Sequence, residues 1–478
     1  MVTIYIGNAR CKMTDLDDDN VIRELESHLS YHVQSFEFMP KHGDWDGRYR
    51  LFNRKSGVFP IGLLTMSINI LKAHKVPYKL IDNREVPDYG TPLKIKQGGS
   101  YEARDYQSKA IDAAIKAGSG ILKMSTGSGK SYVISSIVAK MNIKTIIYVV
   151  SIDLMYQMYD VFNNVFGISI GMVGDGICNI KDITVMTIWS AASAFNSKIS
   201  SLDAEIKQDK IKKKDAEKVR KCVESANMFV LDECQYAGSN TFQFLSRESK
   251  SAIHRFLFSG TPWREAGDDI LLEAVSGPQI VNIGASELIE KGFLVRPYIT
   301  FKSMPTIRNI GSSYPEVYKN FIINNDYRNF YIADSTKKLV QSGRTVLIIY
   351  SKIAHGEILQ DFIKEQGVQS IILNGGNNSQ QRSDSIQKVK DGECKIILAS
   401  SIFDQGIDIP ILDSLIMAGG GKSTARVLQR IGRVMRPYNG KKNAIILDFF
   451  DNSKYLRQHS MVRYKTCMTE KEYVVKKK

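Results

Sequence analysis

The chain has 478 residues, which exceeds the size of one ordinary hydrophobic core and predicts two or three domains. Apolar residues form 43% and charged residues 24% of the sequence, as in globular proteins, and no apolar run approaches the length of a membrane span. We therefore expect no membrane partner. The net charge of +15 attracts polyanions, so nucleic acid is the first partner to consider.

The cysteines and the first residues of the chain indicate the cellular compartment of the protein. The cysteines lie far apart without a C-x-x-C pair, which argues against a structural zinc site and against a disulfide framework. The first stretch, MVTIYIGNARCKM, has neither the basic start nor the long apolar run of a secretion signal. We expect a protein of the reducing cytoplasm.

Residues 1–90 are predicted to form a small α/β domain. The stretch VIRELESHLS has helical spacing, and GDWDGRYRLFNRKSGVFPIGLL indicates strands joined by turns at Asp46-Gly47 and Ser56-Gly57. Trp45 is explained either as a buried residue of a hairpin or as a contact with nucleic acid, and the D-G turn alone accounts for the hairpin. Gly, Pro and Ser in residues 88–100 predict a linker.

Two α/β regions follow, which we assign to residues 91–288 and 289–478. Apolar runs such as TIIYVV and MFVLD in the first, and TVLIIYS and NAIILD in the second, alternate with helical patterns, as in buried parallel sheets. We expect two tandem doubly wound domains, with ligands beyond the carboxyl ends of the strands. The charge-rich segment 203–226 predicts a solvated helix, with Glu217 and Lys221 as an i,i+4 pair, and the final VVKKK predicts a frayed basic tail.

The stretch GILKMSTGSGKSYVISSIVAK, residues 120–140, indicates a strand, a glycine loop and a helix. Glycines let the loop backbone curl so that its N–H groups face phosphate oxygens. Lys130 would reach the β- and γ-phosphates, and the Ser131 hydroxyl would ligate Mg²⁺. The predicted nucleotide-binding loop consists of Thr126, Gly127, Ser128, Gly129, Lys130 and Ser131.

Further along the chain, the stretch FVLDECQ places an acidic pair after a predicted buried strand. Asp232 would hold Mg²⁺ through its water shell, and Glu233 would orient and deprotonate a water that attacks the γ-phosphate. Before the glycine loop, in RDYQ, the amide of Gln107 can both donate to and accept from an adenine edge, and the Arg104 guanidinium can stack on the base.

The stretch VLQRIGRVMRPY predicts a helix with Arg433 and Arg436 on one face. Arginine is suited to stabilising charge on a transferring phosphoryl group, so both side chains are predicted to reach the nucleotide. The preceding ASSIFDQGIDIP places Gly406 and Asp408 at the end of a strand, and we add them to the predicted nucleotide site.

In chain order, these motifs resemble those of superfamily 2 helicases and translocases. The matching series is RDYQ, STGSGKS, VVSIDLMYQ, VMTIWSA, LDECQ, SGTP, LIIYSKIAHG, LASSIFDQGIDIP and QRIGRVMR. The glycine loop of this superfamily lacks an earlier glycine, which accommodates Met124. The amino-terminal region with GDWDGRYRLF is similar to the phage UvsW-type branch-migration helicases in particular, so a tailed phage is the expected source, for example a T5-like one.

The resemblance implies two RecA-like domains and a DNA-dependent ATPase that uses ATP and Mg²⁺. It implies a monomer that remodels branched, forked or duplex DNA, and RNA–DNA hybrids, in phage recombination, repair and replication. Recognition would follow DNA structure, because contacts to phosphates carry no sequence information. Ser259 and Thr261 would couple the nucleotide state to the grip on DNA. The expected DNA-backbone contacts are Ser151, Thr187, Lys352 and Ser401.

Gln235 departs from the family, whose close members tend to carry His at this position. The resemblance implies that this side chain relays hydrolysis to movement, and Gln can still donate and accept hydrogen bonds. Gln235 therefore bears on how hydrolysis is coupled to movement along DNA, not on ATP cleavage. Two other functions stay open: a translocase subunit of a nuclease or restriction system, and a nucleic-acid-binding protein with a degenerate ATPase. An RNA helicase also stays open, because the motifs contact a backbone.

Overall fold

A computed structural model describes residues 1–33, 45–94, 102–195, 211–262, 267–307, 311–377, 379–400 and 409–478. Their strands form three larger sheets and a two-stranded ribbon. The chain divides into two compact units, residues 1–124 with 129–282 and residues 125–128 with 283–478. Across the described ranges, no helix combines the length and the apolar character that a bilayer crossing needs.

The amino-terminal region forms a four-stranded sheet with two helices. Its elements are β1 (Val2–Ile6), β2 (Arg10–Thr14), α1 (Asp19–His28), β3 (Ser30–His32), β4 (Arg48–Arg50), β5 (Val58–Pro60), a 3-10 turn (Ile61–Leu63), α2 (Leu64–Ala73) and β6 (Tyr78–Asp82). The sheet order is β5-β2-β1-β6, and β3 pairs with β4 as the separate ribbon. The predicted first helix is confirmed: the Asp18 carboxylate caps its amino end, and Val21 and Leu25 are buried on one face.

Trp45 is not the buried residue that the hairpin explanation required. Gly47 has a φ of 73°, which confirms the predicted turn before β4. However, Trp45 keeps 41% of its surface exposed, and its indole N–H donates to the Arg48 carbonyl at 3.0 Å. The indole therefore bonds to the backbone of the turn, while a large part of the ring stays exposed to solvent.

The amino-terminal region shares a core with the next region of the chain. Its apolar cluster includes Ala274, and Ile270 packs against the same cluster. Gly62, in the 3-10 turn, lies so close that a Cβ there would be 1.8 Å from the Glu273 carbonyl oxygen. The Asn8 amide also donates to the Lys250 carbonyl at 2.9 Å. These contacts explain why both regions fall within one compact unit.

An eight-stranded sheet forms the second region, in the order β10-β9-β11-β8-β12-β13-β7-β14. Its strands are β7 (Gly120–Met124), β8 (Thr145–Val149), β9 (Gly171–Gly174), β10 (Ile177–Asn179), β11 (Ile183–Thr187), β12 (Met228–Asp232), β13 (His254–Ser259) and β14 (Gln279–Ile283). Its helices are α3 (Asp105–Ala117), α4 (Lys130–Met141), α5 (Ile152–Phe166), α6 (Ile188–Ser193), α7 (Lys213–Ser225), α8 (Asn240–Glu248) and α9 (Ile270–Ser276). The central strands pair in parallel and are buried, as predicted for a doubly wound domain.

Helix α7 is the described part of the charge-rich segment, whose residues 203–210 lie outside the described ranges. Glu217 and Lys221 form the predicted ion pair at 2.8 Å on the exposed face. The opposite face differs from the prediction, because Val219 and Val223 are buried in the core of the domain. The segment is therefore an amphipathic helix that is part of the fold.

A seven-stranded sheet in the order β17-β18-β16-β19-β20-β15-β21 forms the third region. Its strands are β15 (Arg296–Met304), β16 (Val346–Ile349), β17 (Ile371–Leu373), β18 (Ile396–Ala399), β19 (Ser414–Met417), β20 (Asn443–Asp451) and β21 (Val474–Lys477). Its helices are α10 (Ala285–Glu290), α11 (Tyr314–Tyr318), α12 (Asp326–Gln341), α13 (Ile353–Glu365), α14 (Ser379–Lys390), α15 (Thr424–Val434) and α16 (Leu456–Met468), with a π-helical turn at Lys319–Ile323. The described strand pairs are parallel, so this is the second predicted doubly wound domain.

The prediction of a frayed basic tail is wrong. Residues 474–477 form β21, which pairs in parallel with β15 from Tyr298 to Phe301. The ammonium of Lys477 lies 3.7 Å from the centre of the Phe450 ring, so this side chain packs against the neighbouring strand. Backbone pairing with a distant strand outweighs the local charge, and no local pattern reports such pairing.

Candidate nucleotide site

The glycine loop joins β7 to α4, as predicted. Gly127 and Gly129 have φ values of 85° and 80°, a region that other residues adopt only with strain. Gly129 is also the residue that caps α4, and a Cβ there would lie 2.4 Å from the Gln107 amide nitrogen. The loop therefore leads into the amino end of a helix, where unpaired N–H groups and the helix dipole favour an anion.

Gln107 has a structural role beside its predicted contact with adenine. Its amide oxygen accepts a hydrogen bond from the Arg104 N–H at 3.0 Å, which fixes the start of α3. The Arg104 guanidinium donates to the Tyr106 hydroxyl at 3.0 Å. Only 5% of the Gln107 surface is exposed, and its amide nitrogen lies beside Gly129. Gln107 thus ties α3 to the glycine loop.

The acidic pair lies at the carboxyl edge of the same sheet. All of β12 is buried, and it ends at Asp232, whose surface is 4% exposed. One strand, β13, separates β12 from β7, and the three run parallel, so their carboxyl ends meet at one edge. Glu233 has a φ of 61°, and its N–H donates to the Asp232 carboxylate at 3.0 Å. A left-handed residue other than glycine is typical of functional sites.

The surroundings of Asp232 oppose the negative charge of its carboxylate. Burial raises the pKa of Asp232 to about 6, the positive charge of Lys130 lowers it, and the negative charge of Glu233 raises it. A buried carboxylate needs a cation to remain charged, and Lys130 supplies this only in part. The Asp232 carboxylate and the Ser131 hydroxyl are the hard oxygen donors that Mg²⁺ prefers, so these residues fit that ion.

Gln235 links the acidic pair to the next strand. Its amide nitrogen donates to the Glu233 carboxylate at 3.0 Å, and its amide oxygen accepts from the Ser259 hydroxyl at 2.9 Å. Ser259 Oγ accepts in turn from the Thr261 N–H at 3.1 Å. The Gln235 amide therefore uses both its donor and its acceptor, and this chain of hydrogen bonds joins the ends of β12 and β13.

The arginine pair lies in the other compact unit. Arg433 is in the last turn of α15, Arg436 follows the helix, and both side chains are half-buried. Their contact with the nucleotide stays a prediction. Gly406 and Asp408 of the predicted nucleotide site, and Ser401 of the predicted DNA contacts, lie outside the described residues.

The other predicted DNA contacts all follow strands at carboxyl edges. Ser151 caps α5 by accepting from the Leu154 N–H at 3.3 Å, and Lys352 is exposed at the start of α13. Thr187 caps α6 by accepting from the Ser190 N–H at 3.0 Å and is fully buried. This burial argues against a direct contact between Thr187 and DNA. We infer that its hydroxyl instead determines where α6 begins.

The sequence predictions missed a buried charge network in the third region. The Arg463 guanidinium donates to the Asp448 carboxylate at 2.9 Å and to the Gly421 carbonyl at 2.7 Å. Arg328 donates to the Ala418 carbonyl at 2.7 Å. Both arginines are fully buried, and the carbonyls belong to the loop that precedes α15. The network therefore holds the loop that leads into the arginine helix. Its sequence signal is weak, namely charged residues within otherwise apolar runs.

Three family models match the chain. They are the UvsW DNA helicase amino-terminal domain at residues 12–82, the res subunit of type III restriction enzymes at 100–264, and the helicase conserved carboxyl-terminal domain at 332–438. The ATP-dependent DNA helicase uvsW of Enterobacteria phage T4 is 24% identical over 491 residues, which cover 96% of this chain and 91% of that protein. The probable helicase D10 of Escherichia phage T5 is 22% identical over 438 residues, with coverages of 90% and 87%.

Among solved structures, the DEAD-box helicase Mss116 bound to ssRNA and UDP-BeF matches 78% of this chain and 74% of that chain. The TM-score is 0.56 at 14% identity, which supports the fold alone. Together with the helicase family models, this defines the class: the chain is a superfamily 2 helicase with tandem RecA-like domains and a small amino-terminal α/β domain. Within that class it is a UvsW-like helicase. The expected family, fold class and ATP-driven enzyme class are confirmed.

Proposed function

We propose that this chain is an ATP-dependent DNA helicase or translocase that remodels branched DNA, such as Holliday junctions and replication forks. The chain of hydrogen bonds through Gln235 carries the proposal, because it connects the acidic pair to the strand that leads into the SGTP motif. DNA as the partner is supported by the phage T4 and T5 relatives and by the net charge of +15. We place the enzyme in the host cytoplasm, as a monomer that acts in phage recombination, repair and replication.

In this proposal the nucleotide is held by the first RecA-like domain. Lys130 and the N–H groups of the glycine loop bind the β- and γ-phosphates. Ser131 and Asp232 hold Mg²⁺, which neutralises phosphate charge when bound. Glu233 orients a water and accepts its proton. Its strained backbone and the hydrogen bond from Gln235 fix the carboxylate in one position.

Coupling would depend on the second domain and on Gln235. Arg433 and Arg436 would stabilise charge on the transferring phosphoryl group from that domain. A displaced Glu233 carboxylate would move the Gln235 amide and hence Ser259, so the SGTP motif would respond to hydrolysis. We assign residues 91–288 and 289–478 to the two motor domains and 1–90 to the accessory domain.

Phosphate release in the presence of a synthetic four-way junction tests the function. Lys130→Ala and Glu233→Gln should both lose DNA-stimulated turnover, and Glu233→Gln should still bind the nucleotide. Circular dichroism of each variant checks that it is folded. Full turnover in both variants would show that the nucleotide site lies elsewhere. Junctions, forks, RNA–DNA hybrids and RNA duplexes compared at equal concentration test the preferred substrate, and the junction should be processed fastest.

A motor subunit of a restriction or nuclease system is the second candidate. The res-subunit family model at residues 100–264 favours it, because that model describes the motor of such an enzyme. The helicase and the nuclease-system motor differ in whether plasmid DNA is cut. Supercoiled plasmid incubated with Mg²⁺ and ATP should stay intact with a helicase, whereas nicked or linear plasmid would favour the nuclease system.

A further inference from the structure

A groove in the second RecA-like domain is not used by the nucleotide site. It has a volume of about 850 Å³. Its walls are Thr306, Ile307, Asn452, Ser453, Lys454, Tyr455, Arg457, Gln458 and Met461. These residues follow β15 and β20 or begin α16, and the two strands are parallel, so the groove opens at the carboxyl edge of the sheet. Ligands of doubly wound domains bind at this edge, where Lys352 also lies.

Aromatic rings surround the mouth of the groove. The Tyr314 ring lies 6.1 Å from the Tyr455 ring and 5.5 Å from the His459 ring, between centres. Tyr314 is 39% and Tyr455 38% exposed, so each presents part of its ring to solvent. Exposed rings of this kind are the platforms on which unpaired bases stack in proteins that bind single strands.

The backbone at Tyr455 is strained. Tyr455 has a φ of 65° and a ψ of −50°, and the Leu456 N–H donates to the Lys454 carbonyl at 2.7 Å. This is the rare γ-turn with positive φ, which glycine would form more easily. The Tyr455 hydroxyl donates to the Ser312 carbonyl at 3.1 Å and fixes the ring. An aromatic residue kept at such a position indicates that the ring has a function.

The groove also carries positive charge. Lys454 and Arg457 are exposed, and the Lys454 ammonium lies 5.0 Å from the centre of the Tyr455 ring. Among the described residues that form its walls, none is acidic. A cation beside an exposed ring can bind both parts of a nucleotide: the cation pairs with the anionic phosphate, and the ring stacks on the flat aromatic base.

In the described part of the chain, one buried polar atom in the groove wall and one beside it have no hydrogen-bond partner. Ser453 is 8% exposed, and its hydroxyl has no hydrogen-bond partner among the residues that the structure describes. The same holds for His459 Nδ1, next to the aromatic rings. Buried polar atoms are nearly always paired in folded proteins, so unpaired ones at the wall of a groove point to a ligand with polar groups.

We propose that this groove binds one nucleotide unit of single-stranded nucleic acid, an inference that rests on the proposed helicase function. A base would stack on Tyr455, Lys454 and Arg457 would hold its phosphates, and the Ser453 hydroxyl would bond to a polar group of the nucleotide. The bound strand would continue along the carboxyl edge toward Lys352. A free mononucleotide offers the same chemistry, so the experiment separates the two sources.

Salt-dependent binding of labelled oligothymidylate to the full chain tests the cations. We expect Lys454→Gln with Arg457→Gln to weaken binding roughly tenfold and to reduce the slope of log K against log salt by about 1.4, because each phosphate contact on a single strand contributes about 0.7. The matched control is Lys364→Gln with Lys390→Gln. These exposed lysines end α13 and α14, at the opposite edge of the sheet, and their loss should change the slope little.

Tyr455 allows a test of stacking that keeps the fold. Tyr455→Gly removes the ring but tolerates the positive φ, so the melting temperature should not fall, whereas strand binding should weaken by about tenfold. Tyr455→Phe keeps the ring and should bind the strand like the wild type.

Three results would overturn the groove proposal. The double variant could bind oligothymidylate like the lysine control, or Tyr455→Gly could bind it like the wild type. The variants could also lose binding of free thymidine monophosphate while they keep binding of oligothymidylate. Failure of the proposed function appears separately, as a wild-type protein without DNA-stimulated phosphate release.

Discussion

The two RecA-like domains bury acidic residues near the carboxyl edges of similar sheets, but they neutralise them differently. In the second domain, Asp448 accepts from Arg463 at 2.9 Å. In the first, burial raises the pKa of Asp232 to about 6, and Lys130 opposes this only in part. The paired acids belong to the fold, whereas an incompletely neutralised acid marks the place where a ligand completes the charge.

The largest expected effect comes from breaking a paired acid. Arg463→Met leaves Asp448 buried without its partner and should lower the free energy of unfolding by roughly 3–5 kcal/mol. Urea unfolding followed by circular dichroism measures this. The control is Lys338→Met, which removes the exposed ion pair with Asp334 and should leave the unfolding curve close to that of the wild type. Equal curves for both variants would remove the distinction drawn between the two domains.

Replacing Asp232, the incompletely neutralised acid, should remove activity without lowering stability. Asp232→Asn should abolish ATP turnover, but it removes a buried charge and should leave the free energy of unfolding unchanged or raise it by about 1 kcal/mol. Mg²⁺ with ADP should raise the melting temperature of the wild type more than that of the variant, because ligands stabilise the state that binds them. A strong loss of stability would place Asp232 with the structural acids.

A smaller effect is expected at the link between β12 and β13. Gln235→Leu leaves the buried Ser259 hydroxyl without its acceptor, which should cost about 1 kcal/mol of unfolding free energy. The ratio of junction processing to phosphate release should fall, because Glu233 would no longer be linked to Ser259 of the SGTP motif. Gln235→His, whose neutral ring can also donate and accept, should recover part of this ratio. An unchanged ratio in the leucine variant would show that coupling takes another route.

The smallest effect concerns a half-buried lysine whose ammonium donates to backbone carbonyls. Burial lowers the pKa of Lys441 to about 8, although Asp413 opposes this, and its ammonium donates to the Leu412 carbonyl at 2.6 Å. Because the folded pKa lies below the unfolded value, the folded state binds fewer protons, and stability should rise by about 1 kcal/mol as the pH increases from 8 toward 10. Urea unfolding at pH 8 and at pH 10 measures this rise in stability. The Lys441→Gln variant should not show it. A rise that persists would assign it to another group.

Local sequence patterns predicted the elements that local physics controls. The glycine loop, the buried run before Asp232 and the helix after Asp18 depend on neighbouring residues, and all three are present. The outcomes that differed depend on distant partners. Residues 474–477 form a strand because Tyr298 to Phe301 lie beside them, and the charge-rich helix α7 buries Val219 and Val223 in the core of its domain.

The sequence predicted some features of the candidate site and missed others. The residue types in the glycine loop and the acidic pair follow from phosphate and metal chemistry, so motifs reveal them. The close approach of Gln107 to Gly129, the burial of Thr187 and the link from Gln235 to Ser259 are relations between segments far apart in sequence. No spacing within a single segment encodes them.

The close approach at Gly62 has a mechanical consequence. The amino-terminal region rests on the helix that follows the SGTP motif, with room for a hydrogen atom but not for a methyl group at position 62. Because the two regions are in direct contact there and belong to one compact unit, we expect the amino-terminal region to move together with the first motor domain. Any DNA that it holds would travel the same distance as that domain in each ATP cycle.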